Sequence, residues 1–182
     1  GQYTDAARRM ETLAGKAKQN SSVKAGLLAH AAQAWLLADQ AARAEAVLTA
    51  DLKLTPEDSA LFVDRAQARA ALKDFKGALE DLNHAIARED RRADAYVFRA
   101  ATYRFLDKPE LALADVERAL ALAPTHAEGL LERGILRRLR QDNDGARQDW
   151  LRVLRLAPKS RAADASRRNL EKMDVKTNEP QR

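Results

Sequence analysis

The chain has 182 residues, of which 46% are hydrophobic and 32% charged, with seven glycines, five prolines and no cysteine. Disulfides, thiolate metal sites and cysteine nucleophiles are therefore excluded, and the composition suits an exported, periplasmic protein as well as a cytoplasmic one, so localisation stays open. The formal charge of +5 is unevenly placed, because residues 130–182 hold 14 Lys and Arg against 8 Asp and Glu.

Low Gly and Pro, abundant Ala, Leu, Arg and Glu, and no alternating β-branched runs predict an all-α chain. Tyr3, Ala6, Met10 and Leu13 have helical spacing and open it. They read as the second helix of a truncated repeat over residues 1–20, so the chain is expected to begin inside a larger array or after an excised segment. Four copies of a 34-residue unit follow, at 25–58, 59–92, 93–126 and 127–160. Pro56, Pro124 and Pro158 close three of them, and Asp90 fills the vacant slot. Position 8 of the unit is small in every copy (Ala32, Ala66, Ala100, Gly134), and position 20 is Ala44, Ala78, Ala112 and Ala146. Two helices approach closely only where neither carries bulk at the crossing, so these are predicted helix contacts. Large residues fill the space between, with Leu28, Phe62, Tyr96 and Leu130 at position 4 and Leu48, Leu82, Val116 and Trp150 at position 24.

Each unit is predicted to be an antiparallel helix pair, called A and B below. In the third, helix A runs near Ala93–Leu106 and helix B near Pro109–Leu122, with Pro109 in a first helical turn, where its missing N–H breaks no bond. Asp74 and Asp142 are predicted N-caps, and Thr125 with Glu128 has the spacing of a capping box. After the last copy, 161–173 is a predicted capping helix, too polar for another repeat core. Residues 174–182 have little to bury and read as a disordered tail.

A 34-residue helical period is the signature of an α-solenoid, and the pattern resembles the tetratricopeptide repeat. The third copy carries it most fully, in Tyr96, Ala100, Tyr103, Ala112, Val116, Ala119 and Pro124. Departures are Arg69 and Arg137 at the aromatic position, Asp51 at a position that is usually small, and Asp90 for proline. The resemblance implies antiparallel helix pairs stacked into a right-handed superhelix, whose A helices line a concave groove that receives a partner's peptide or helix.

Carried over residue by residue, the groove positions are Ala29 and Gln33 in the first copy and Ala60, Val63, Gln67 and Ala70 in the second. The third supplies Asp94, Val97, Ala101, Arg104 and Phe105, and the fourth Glu128, Leu131, Ile135, Arg138 and Leu139. Val97, Phe105, Leu131 and Ile135 are the expected apolar anchors. Family members that clamp the C-terminal carboxylate of a chaperone use lysines, asparagines and an arginine. The equivalents here are Ala29, Gln33, Asp64, Asp94 and Arg99, so no carboxylate-clamp binding is expected. Apolar A-helix residues can also simply pack on neighbouring repeats or lie under the C-terminal segment.

One recurrence belongs to the residues rather than to the family pattern. Position 7 is Arg65, Arg99 and Arg133 in the last three copies, and position 23 is Asp81, Asp115 and Asp149. A constant offset from helix A to helix B predicts a structural ion pair restated in each copy, since a partly buried arginine needs a carboxylate.

No motif converges an acid, a base or a nucleophile, and His30, His84 and His126 lie far apart. The chain is therefore expected to be a non-catalytic protein-interaction scaffold with no cofactor and no metal. Two alternatives stand beside that reading. One is nucleic-acid or anionic-surface binding through the basic C-terminal face, Arg133, Arg137, Arg138, Arg140, Arg147, Arg152, Arg155 and Arg161, though no stacking aromatic set accompanies it. The other is a region of a larger multidomain protein serving assembly or self-association as a homo-oligomer.

Overall fold

Helices begin on the period of the sequence. The computed structural model describes residues 1–17 and 20–177, and among them are ten helices and no strand. These are α1 (Gln2–Lys16), α2 (Ser21–Leu37), α3 (Ala41–Leu52), α4 (Ser59–Ala71), α5 (Phe75–Arg88), α6 (Ala93–Phe105), α7 (Pro109–Leu122), α8 (Ala127–Leu139), α9 (Asn143–Leu156) and α10 (Arg161–Thr177). From α4 onward, successive A helices start 34 residues apart, and so do the B helices from α3 onward. Helix α10 starts on the same step and continues to Thr177, past the expected end at Met173. Met173 is buried, and Asp174 pairs with Arg147, which ties down the turn that the sequence assigned to a tail. The remainder of that expected tail, 178–182, lies outside the described residues.

Every A-to-B turn is built alike. Asp39, Lys73, Asp107 and Gln141, again 34 residues apart, have φ between 55° and 66°. Around Lys73, its own N–H donates to the Ala70 carbonyl and the Asp74 N–H to that of Arg69, at 3.0 and 2.9 Å. The same two bonds recur at the other three turns. This is the Schellman arrangement, in which one left-handed residue satisfies the last carbonyls of the helix and reverses the chain. Glycine is the usual occupant, yet none of the four is glycine. The start of helix B differs between copies. Asp74 and Asp142 cap α5 and α9 by accepting at Oδ1 from the N–H of Gly77 and Gly145, so close that a Cβ on either glycine would lie 2.2 Å from the other carboxylate oxygen, Oδ2. Helix α7 opens on Pro109 with no side-chain cap. The predicted Thr125–Glu128 capping box does not form. His126 is the N-cap of α8 and accepts from the Gly129 N–H at 3.2 Å, because the helix begins one residue later than that box requires.

The chain folds as two compact units, Gly1–Phe98 and Arg99–Arg182. In the first, Trp35, Leu48, Leu61, Phe62, Ala66 and Leu82 anchor the core. Helix α1 packs on α2 through Ala7 and Ala14, whereas Tyr3 and Leu13 are exposed. Small residues win that contact because only they let the two backbones close up. In the second unit, Ala100, Ala112, Val116, Leu130, Leu136 and Val153 form the core, and Ala162 and Ala163 of α10 complete it. Each fully buried leucine stabilises its unit by about 1.5–3 kcal/mol.

Position 8 and position 24 trade volume. Copies with Ala at position 8 carry Leu or Val at position 24, and Gly134 faces Trp150. A Cβ at Gly134 would stand 2.4 Å from the indole Nε1, which donates to the Leu131 carbonyl at 3.3 Å. Gly134→Ala is therefore expected to destabilise the chain by about 1–3 kcal/mol, despite the better helix propensity of alanine. Adding Trp150→Leu recreates the pair found in copies one and two, and is expected to restore stability in a urea titration of the double variant. A double variant no more stable than Gly134→Ala would refute the volume exchange.

Candidate functional site

The arginine and aspartate ladder is a set of forked pairs. Arg65 donates Nε and Nη2 to the two oxygens of Asp81 at 2.9 and 2.7 Å. Arg99 does so to Asp115 at 2.7 and 2.8 Å, and Arg133 to Asp149 at 2.9 and 2.7 Å. Two parallel N–H bonds to a nearly buried carboxylate are the strong form of this interaction. The hydrogen bonds that Arg65 and Arg133 donate to Asp81 and Asp149 hold their guanidiniums above the usual arginine pKa, against the opposing effect of burial. Each of these arginines also reaches the preceding repeat, Arg65 to Thr49 and Arg133 to Glu117, both at 3.3 Å.

Arg69 and Arg137, at the aromatic position, join the same carboxylates. Their Nη1 atoms lie 3.0 Å from Asp81 and 2.9 Å from Asp149, and each donates to the glycine carbonyl of helix B, Gly77 at 3.2 Å and Gly145 at 3.3 Å. In the third copy Tyr103 keeps the aromatic position, with the Arg99 guanidinium 5.9 Å from its ring centroid. Copies two and four are therefore one variant of the repeat, with two arginines, a capping aspartate, a glycine and a shared aspartate, and copy three is another.

The expected groove residues divide between the units. In unit 1, Val63 is 4% exposed and Val97 3%. Both pack in the core, which corrects their assignment to a groove surface; position 5 turns toward the adjoining helix and is covered. Gln67 stays partly exposed, 3.4 Å from Asp64. Burial is the main force pushing the Asp64 carboxyl up to about 6; Asp58 and Asp94 reinforce it, while a hydrogen bond from Gln33 and the charge of Arg92 oppose it. The positions where a carboxylate clamp would need cations thus hold acids and an amide.

In unit 2, Phe105 is 59% exposed and Leu139 62%. They occupy the same repeat position at the ends of α6 and α8. Arg104 is not a free cation: it donates to both oxygens of buried Glu132 at 2.5 and 3.2 Å, and its guanidinium lies 4.5 Å from the Phe105 ring centroid. Sequence reading missed Glu132, whose 28-residue separation from Arg104 is not the repeat period. Arg138 bonds the Asn143 side chain, and Ala101 is partly buried. Leu131 and Ile135, the other expected anchors, are partly buried against Trp150, Leu170 and Met173, so α9 and α10 take much of the apolar surface they would have offered a ligand. No helix is long and apolar enough to cross a membrane, and no three potential metal ligands cluster, among the described residues.

Helix pairs stepping by 34 residues define an all-α helical-repeat solenoid. No family model matches the chain. Tetratricopeptide repeat protein 36 of Bos taurus is 38% identical over 96 residues, which is 50% of this chain and 51% of the relative. The chain spans about half of that protein, and its match to tetratricopeptide repeat protein 16 of Homo sapiens covers 9% of the latter. Among solved structures, TTC0263, a thermophilic TPR protein in Thermus thermophilus, superposes with a TM-score of 0.75 at 22% identity, covering 90% of each chain. The first TPR of Spaghetti, bound to an HSP90 peptide, gives a TM-score of 0.61 at 30% identity over 66% of this chain and 94% of that one. The chain belongs to the tetratricopeptide repeat family. Its fold is that of a protein-interaction scaffold, and members of the family are generally non-catalytic.

Proposed function

We propose that unit 2 binds a segment of a partner protein along the exposed sides of α8 and the 99–105 end of α6, with Phe105 and Leu139 as its apolar anchors. One observation carries this reading: among the described residues, the two most exposed large hydrophobic side chains recur at a single repeat position. A solenoid needs neither of them for its core, and large apolar groups left in water on the same face mark a contact surface. The Arg104–Glu132 pair and the Arg138–Asn143 bond frame the anchors with polar groups whose charges are already matched, which favours an apolar, extended or helical segment.

A carboxylate-ended chaperone peptide is not the proposed ligand. Gln33, Asp64 and Asp94 stand at the clamp positions, and Arg99 is committed to Asp115. Partner capture by cross-linking, with the full chain and its Phe105→Glu/Leu139→Glu variant, tests the assignment. Binding is expected to fall about tenfold or more in the variant, the scale of two lost anchors, with the thermal melt unchanged because neither side chain is buried. Full recovery of every captured partner by the variant would overturn it.

A further inference from the structure

We propose that the fourth repeat carries a site for a doubly charged oxyanion of the phosphoryl class, held by Arg152 and Arg155 of α9. The site is a cavity of about 560 Å³ whose walls include Arg133, Arg137, Asp149, Arg152, Arg155 and Gln148. It is separate from the anchor surface of Phe105 and Leu139, neither of which lines it.

Charge within the walls is unbalanced in a definite way. Four guanidiniums face one carboxylate, and that carboxylate is saturated, with Arg133 on both oxygens and Arg137 on one. Arg152 and Arg155 make no hydrogen bond or ion pair among the described residues. They lie three residues apart on one helix and line the same cavity, so each raises the electrostatic cost of the other until an anion enters. Arg152 also borders an adjoining depression of about 240 Å³, together with Arg133 and Glu117.

The repeat supplies its own control. Copy two has the same scaffold of Arg65, Arg69, Asp74, Gly77 and Asp81, but Glu80, His84 and Ala87 stand where copy four has Gln148, Arg152 and Arg155. The forked pairs recur in copies two, three and four, whereas copy two folds without the two additional arginines and with an acid at the position of Gln148. The effect of these exchanges is to turn a balanced wall into one with excess positive charge. Arginine matches tetrahedral and planar oxyanions through paired N–H donors, and Gln148 adds an uncharged donor. The cavity size falls in the range of small-ligand sites. No aromatic side chain lines it, so a nucleic-acid strand would find no stacking platform there.

Isothermal titration of the full chain with inorganic pyrophosphate and with phosphate at low ionic strength is the test. Saturable binding is expected, and Arg152→Gln/Arg155→Gln should weaken pyrophosphate binding at least about tenfold. Lys73→Gln/Lys76→Gln, which removes the same charge from unit 1, should not. An Arg155→Gln single variant with an intermediate loss supports the site if the double variant melts early. Absence of saturable binding, or equal weakening in both double variants, would overturn the proposal. So would a glutamate-rich peptide or a DNA duplex that binds more tightly than pyrophosphate and loses affinity in the Arg152/Arg155 variant.

Discussion

Asp81→Ala and Asp149→Ala are each expected to lower the free energy of unfolding by about 3 kcal/mol, the low end of what breaking a buried pair costs, because the arginine partners keep some contact with water. The single substitution takes the shared carboxylate from two cations, Arg65 and Arg69 in unit 1 or Arg133 and Arg137 in unit 2, and leaves longer contacts from Arg69 to Glu45 at 3.5 Å, Arg133 to Glu117 at 3.3 Å and Arg137 to Asp142 at 3.8 Å. Asp115→Ala removes the carboxylate that Arg99 forks onto, beside which Tyr103 stands in place of a second arginine, and is expected to cost less, about 2 kcal/mol. Native-state hydrogen exchange separates the effects, since loss at Asp81 should speed exchange in α4 and α5 and loss at Asp149 in α8 and α9. A cost for Asp115→Ala equal to or above that of the other two would break the two-arginine account. Pairing Asp81→Ala with Arg69→Gln should recover part of the loss, because one of the two cations that shared Asp81 is then gone.

Recurrence decides what a sequence of this kind reveals. Arg65, Arg99 and Arg133 could be matched to Asp81, Asp115 and Asp149 without a structure because the same offset appears three times, and a chance pairing does not repeat. Helix starts and the Pro109 turn were legible for the same reason. What occurs once was not. The Arg104–Glu132 fork joins position 12 of one copy to position 6 of the next, so no internal repetition pointed to it. Val63 and Val97 were placed on the groove by family register. Yet position 5 lies at the edge of the A-helix stripe, and whether an edge residue faces water depends on how closely the adjoining helix sits. Phe105 stays exposed and Leu131 does not, although both were expected anchors, because α9 and α10 pack beside Leu131. Asp51 stood out as a departure from a small position, but its burial could not be read from composition.

Asp51→Ala is expected to stabilise the chain at neutral pH, by about 2–3 kcal/mol. Asp51 is 0% exposed on α3, which packs against α2 and α4, and neither carboxyl oxygen has a hydrogen-bond partner. Burial, reinforced by the charge of Asp58, pushes its carboxyl up from 3.8 to about 6. A carboxyl raised in the folded state binds its proton more tightly there than in the unfolded chain. Its contribution to stability is therefore most favourable below about pH 4, declines as the pH rises toward 6, and stays at its least favourable above that. The other copies place Ala85, Ala119 and Val153 at the same position, so alanine fits the site without a new cavity. Urea titrations at pH 4.5 and pH 7.5 should show the variant's advantage chiefly at the higher pH. Asp64, also raised to about 6, titrates in the same window and will leave some pH dependence behind. A variant no more stable than the parent at pH 7.5 would mean that the Asp51 carboxylate is compensated in solution, and an advantage equal at both pH values would mean that the gain comes from packing rather than from charge.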